Sequence, residues 1–127
     1  MSSAAAHRLA ILTAALFVLT ACERALLEHT AVPSGDAERG HAALLHHECG
    51  VCHVIPGVPG ATGSVGPSLA EYDRYTYVAG KLPNTPDALV AWLLDPPRFA
   101  PHTAMPKLPL SEAEARDMAA YLYRGRE

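Results

Sequence analysis

Cys49-Gly50-Val51-Cys52-His53 is the stretch whose reading decides the fold. Two cysteines separated by two residues, with a histidine directly after the second, form the attachment pattern of a c-type haem. The spacing suits two sulfurs adding across the two vinyl groups of one porphyrin. The histidine follows at once, so its imidazole can ligate the iron from beneath the ring. A C-x-x-C pair also occurs as a redox dithiol or as half of a zinc site. Zinc wants four ligands, and on paper His41, His46 and His47 could complete the set. Their helical spacing reads instead as a polar helix face. The expected cofactor is one haem c, covalently held by Cys49 and Cys52, with His53 as the first axial ligand.

Toward the N-terminus the composition changes. Met1–Arg8 is short and weakly positive, and Leu9–Leu19 is an apolar run of 11 residues. Such a run is too short to span a bilayer but suits the apolar part of an export signal. It ends in Leu19-Thr20-Ala21-Cys22, which resembles the bacterial lipobox. That resemblance implies cleavage before Cys22 and acylation of its thiol. The alternative is an ordinary secretory signal with an incidental cysteine. Lipidation is favoured because Cys22 lies directly at the end of the apolar run and no A-x-A site occurs nearby. The expected organisation is a signal peptide at 1–21, a lipidated N-terminus and tether at 22–34, and a single haem domain at 35–127. Export to the periplasmic side of a bacterial envelope agrees with haem attachment outside the cytoplasm.

The 127 residues leave about a hundred for that domain, enough for one small core. The chain holds 11 Pro and 9 Gly, a composition suited to short helices joined by loops around a cofactor. Loss of residues 1–21 removes Arg8 and leaves 9 of the 10 Lys and Arg against all 13 Asp and Glu. No basic cluster exists, so nucleic-acid binding is excluded.

Along the domain, Gly35-Asp36-Ala37-Glu38 opens a helix, with acids where they suit its dipole, running to about Glu48. Residues 54–68 are rich in Gly and Pro and read as loop. Glu71–Tyr75 suits a turn or short helix. Thr85-Pro86-Asp87 starts another helix, with Thr as cap and Pro at the first helical position. Pro96 and Pro97 stop it. Phe99–Pro109 is expected to be extended. Ser111-Glu112-Ala113-Glu114 matches a capping box, and a final helix follows to about Tyr123. No alternating strand pattern is evident.

A second axial ligand decides the chemistry. A thioether favours ferrous iron and makes an electron carrier, whereas an open position admits gases or peroxide. Met105, in Thr103-Ala104-Met105-Pro106, lies far enough downstream for the chain to return to the opposite haem face. His102 competes with it. Met118 has the spacing of a packed helix residue.

These features together resemble the class I cytochrome c family. The resemblance runs over residues 35–124: a Gly-Asp-x-x-x-Gly helix, Cys-x-x-Cys-His, Gly66-Pro67-Ser68-Leu69, Met105-Pro106 and a terminal helix with Ala120-Tyr121-Leu122. The stretches Val65–Leu69 and Ala79–Pro86, with Trp92, further resemble the cytochrome c domain of haem–copper oxidase subunit II and its free-standing bacterial relatives. The resemblance implies an all-α fold of short helices wrapped around one haem, with first and last helices meeting through Gly40 and Tyr121. It implies that the Pro67 carbonyl orients His53 and that Leu69 lines the haem pocket. Trp92 either donates to a haem propionate or fills the core. Tyr72, Arg74 and Tyr75 are candidate propionate neighbours. The stretch from Gly40 to Cys49 is one residue longer than in familiar mitochondrial members.

The expected function is a one-electron carrier tethered to a membrane by its N-terminal lipid. It would take electrons from a quinol-oxidising complex or another cytochrome and deliver them to a terminal oxidase or reductase. Two alternatives are a haem enzyme or sensor with an open or displaceable sixth ligand, and an obligate cytochrome subunit of a larger oxidase or dehydrogenase.

Overall fold

A computed structural model describes residues 31–125. The expected signal peptide, Cys22 and most of the tether fall outside them. Helix α1 spans Ala37–His46. Extended Asp36 caps it, its carboxylate accepting the Arg39 amide N–H at 2.8 Å, which satisfies one of the donors left open at a helix start. The helix stops two residues short of Glu48. The His47 N–H closes back on the Ala43 carbonyl at 2.9 Å, and Glu48 turns left-handed at φ 53°. A single 3-10 turn, Cys49–Val51, then begins the attachment motif.

The Gly- and Pro-rich loop follows, then a second 3-10 turn at Tyr72–Arg74. Two strands of two residues each come next, β1 (Tyr77–Val78) and β2 (Leu82–Pro83), paired antiparallel with Val78 opposite Leu82. Ala79 and Gly80 both have positive φ, the geometry of a tight hairpin turn that follows the strand twist. This hairpin departs from the expected absence of strands. A pair of residues is too short to display the alternation that marks a strand in sequence.

Helix α2 spans Pro86–Leu94, with the Thr85 hydroxyl accepting the Ala88 N–H and Pro86 in the first turn. Pro96 and Pro97 end α2 as expected, and they also open a one-turn helix, α3 (Pro96–Phe99). At the first positions of a helix no backbone donor is required, so both prolines fit there. Helix α4 spans Glu112–Tyr123 and starts with the full reciprocal capping box between Ser111 and Glu114.

The frame is the crossing of α1 and α4. Leu44 from α1 and Ala115, Met118 and Ala119 from α4 are almost fully buried there. Gly40 makes the approach possible: a Cβ at that position would lie 2.0 Å from the Asp117 carbonyl oxygen. Asp117 reinforces the contact. Its carboxylate accepts from the Asp36 amide at 2.7 Å and from two guanidinium nitrogens of Arg39 at 2.8 Å each. Tyr121 sits one turn beyond this crossing point. Its ring lies beside His41 and its hydroxyl donates to the Pro56 carbonyl at 2.7 Å, so it ties α4 to the loop after the motif. Helix α2 also packs on α4, and its Leu89, Val90 and Leu93 are buried. Among the described residues no helix is long and apolar enough to cross a membrane.

Candidate functional site

The attachment motif is held from both ends. The Cys49 carbonyl accepts the amides of Cys52 at 3.3 Å and His53 at 3.0 Å, which winds the two cysteines onto one turn. The Gly63 amide donates to Gly50 at 3.0 Å and the Gly66 amide to Cys52 at 2.8 Å, so the returning loop braces the turn from outside. Both cysteines are free thiols and half-buried. Burial pushes the Cys49 thiol above its ordinary pKa.

His53 Nδ1 lies 2.7 Å from the Pro67 carbonyl oxygen. A carbonyl can only accept, so Nδ1 is the donor, and in the tautomer that this bond selects the lone pair lies on Nε2. Gly66 allows this geometry. A Cβ there would lie 2.3 Å from His53 Cε1 and 2.6 Å from Nδ1, so only a glycine backbone passes the imidazole face.

Met105 is half-buried against the core. Its amide donates to Thr103 Oγ1 at 3.2 Å. Trp92 from α2 donates its indole N–H to Met105 Sδ at 3.2 Å. Trp92 is also part of the buried core, one of the two roles expected for it from the sequence. Just beyond, Lys107 Nζ reaches Asp95 Oδ2 at 2.8 Å, and this ammonium holds the carboxyl below the usual carboxylate range. His102 is exposed.

Leu69 is half-buried, and its amide donates to Val54 at 2.8 Å. Tyr72 is buried, 4 % exposed, and its hydroxyl has no hydrogen-bond partner among the described residues. Burial raises the pKa of that phenol, so the group remains a donor. Tyr75, by contrast, already donates to the Ser68 carbonyl at 2.6 Å. Arg74 is exposed, with its guanidinium 3.7 Å from Glu71.

The residues fit a covalent haem. Two free thiols and an imidazole whose Nδ1 is engaged by a carbonyl sit on one turn, a thioether is held beside Trp92, and among the described residues one buried hydroxyl has no partner. A zinc reading does not gather its ligands. His41 is directed to the Gly57 carbonyl, His47 to Glu114, and among the described residues no three His, Cys, Asp or Glu cluster as a metal site.

The family model for cytochrome c matches residues 37–124. The chain belongs to the cytochrome c family. It is 36 % identical over 87 residues to cytochrome c-552 of Bradyrhizobium diazoefficiens, covering 68 % of this chain and 73 % of that one. It is 31 % identical over 88 residues to cytochrome c oxidase subunit 2 of Alkalihalophilus pseudofirmus, covering 68 % of this chain and 25 % of that protein. The chain thus spans only a quarter of the oxidase subunit. The crystal structure of cytochrome c2 from Rhodobacter sphaeroides superposes with a TM-score of 0.54 at 22 % identity, over 73 % of this chain and 99 % of the other. The fold is that of class I cytochromes c, mostly short helices. This cytochrome carries one covalently bound haem c, and Cys49 and Cys52 fit its attachment motif. Its chemistry is electron transfer.

Two residues of the cytochrome's framework escaped sequence reasoning. Asp117 looks like a solvent-facing acid in α4, yet it is 5 % exposed and anchors α1. Asn84, 4 % exposed, accepts from the Tyr123 hydroxyl at 2.7 Å and donates to the carbonyls of Tyr72 and Tyr75. No local pattern announces either partner set, because each spans a long stretch of chain.

Proposed function

We propose that this cytochrome is a one-electron carrier in which His53 and Met105 ligate the iron, tethered through Cys22 to a bacterial membrane with its haem domain in the periplasm. The observation that carries the ligand assignment is the Nδ1 bond of His53 to Pro67, which leaves Nε2 as the only nitrogen free to ligate. Haem, when bound, supplies a single-electron Fe(III)/Fe(II) couple. His53 contributes a basic nitrogen whose orientation Pro67 fixes. Met105 contributes a thioether that favours the reduced state. With His53 and Met105 both holding the iron, peroxide or a gas would find no open site, which favours a carrier over an enzyme or sensor.

The side chains of Val51, Val54 and Val65 around the motif are exposed. An uncharged rim of this kind suits brief contact with redox partners. We assign those partners as a quinol-oxidising complex or another cytochrome on the donor side, and a terminal oxidase or reductase on the acceptor side. The likeness to a quarter of an oxidase subunit supports a second reading, in which the protein is an obligate cytochrome subunit of a larger complex. Purification from native membranes separates the two, since an obligate subunit stays with its complex.

The ligand assignment is tested on holoprotein made in a haem-attaching host. Intact mass should show one haem added. The oxidised protein should show the far-red band of a thioether–Fe(III) pair. Met105→Ala should abolish that band and lower the midpoint potential, while His102→Ala retains both. The reverse pattern would replace Met105 by His102. A spectrum indifferent to both substitutions, with rapid peroxide reduction, would favour the enzyme reading.

A further inference from the structure

The segment that carries Met105 sits lightly on the domain. Residues 101–110 form neither helix nor strand, and Ala104, Pro106, Lys107 and Pro109 are exposed. Among the described residues, positions 104–107 make no backbone–backbone hydrogen bond. The Met105 amide turns to Thr103 within the same segment. Met105 and Leu110 pack only half-buried against the core. Two side-chain rungs, among the described residues, tie the segment to the helical body. One is the Trp92 indole on Met105. The other is the Lys107 ammonium, 2.8 Å from Asp95 Oδ2.

Asp95 is a firm end for that second rung. It stands at the corner where α2 ends and α3 begins. Its amide donates to the Ala91 carbonyl at 3.2 Å and its carbonyl accepts from the Arg98 amide at 3.2 Å, so both helices fix its backbone. Lys107 follows Met105 across Pro106, whose ring fixes its own φ. Little slack separates the ammonium from the sulfur.

We propose that Asp95 is a positioning residue for the iron ligand, and that its ion pair with Lys107 is the latch that holds the Met105 segment in place and keeps external ligands from the sixth position. The proposal rests on the reading of Met105 as axial ligand. A segment with few buried contacts and no backbone ladder opens at far less cost than the whole domain unfolds. An exposed ion pair adds little to global stability, but it is a large share of what holds so lightly seated a segment. The side chains of Asp95 and Lys107 are 33 % and 61 % exposed, so dissolved ions reach the pair and weaken it. Access of a small ligand to the iron is set by a contact at the surface and rises with ionic strength.

The probe is imidazole at about pH 8, where it is uncharged, added to oxidised holoprotein. Loss of the far-red band reports the sulfur leaving the iron. Asp95→Asn removes one charge and keeps a residue suited to a helix start. Lys107→Gln removes the other. At low salt each should raise the apparent imidazole binding constant by up to about fivefold, the ceiling for an exposed pair. The double variant should do no more than either single one, because both break the same contact. Added salt should raise binding to the native protein and leave the variants unchanged. The urea midpoint read by circular dichroism should stay near native throughout. Native-like binding in both single variants, additive effects in the double one, or a gain that only follows a lower urea midpoint overturns the latch and leaves Met105 as ligand. If the native holoprotein lacks the band and Met105→Ala binds imidazole no more tightly, the ligand reading fails and the proposal with it.

Discussion

Gly66 shows how much a single missing side chain carries. The loop returning from the motif must run close against His53 before Pro67 can offer its carbonyl. Gly66→Ala places a methyl group 2.3 Å from the imidazole, so either the ring or the loop must move. Overpacking of this kind costs about 1–3 kcal/mol. The expected outcome is holoprotein that unfolds at lower denaturant and has a disturbed axial spectrum, read by guanidinium titration and visible absorbance. A variant with native stability and spectrum would mean that the ring does not depend on this passage. The residues of the motif were legible from spacing alone, because covalent attachment demands fixed residue types at fixed positions. The partner of Trp92 was not legible. A thioether can accept an indole N–H as a propionate can, and only the fold brings Met105 Sδ to 3.2 Å from it.

At the scale of elements, the joint between α1 and α4 combines a close backbone approach with a buried charge. Two hydrogen bonds from the Arg39 guanidinium, with further help from the Asp36 amide, hold the Asp117 carboxyl below the usual carboxylate range. The Ser111 hydroxyl and amide, with His47 beyond them, draw Glu114 down to about 2. Both groups have lower pKa values folded than unfolded. Their stabilisation is therefore complete above the unfolded values of about 4 and drains away as pH falls through the folded ones. Glu114 is the more exposed, so solvent screens more of its share. Asp117→Asn should flatten the loss of stability between about pH 4.5 and pH 2, measured as guanidinium midpoints over that range. An acid limb identical to the native one would show that the joint draws nothing from ionised Asp117. Helix starts were readable in advance because Asp36, Thr85 and Ser111 signal them with their own side chains. The Asp117 joint was hidden for the opposite reason: its partners lie 78 and 81 positions away, and nothing in α4 alone distinguishes a buried acid from a solvated one.

At the scale of the whole molecule, the proposed anchor at Cys22 would set the position of the small haem domain in the cell. A lipid anchor at Cys22 would keep the domain at high effective concentration beside membrane-bound partners. Cells expressing the native chain should hold it in the membrane fraction with an acylated N-terminus, and Cys22→Ser should release it. If the native chain fractionates as free protein with an unmodified N-terminus, the lipid anchor fails and the electron-transfer assignment stands. The rung between Trp92 and Met105 also equips the protein with an optical reporter. Haem absorbs where indole emits, so the lone tryptophan is dark while α2 and the cofactor remain together. Emission at low denaturant, before the circular dichroism of α1 and α4 declines, would time the opening of the methionine side of the crevice separately from global unfolding.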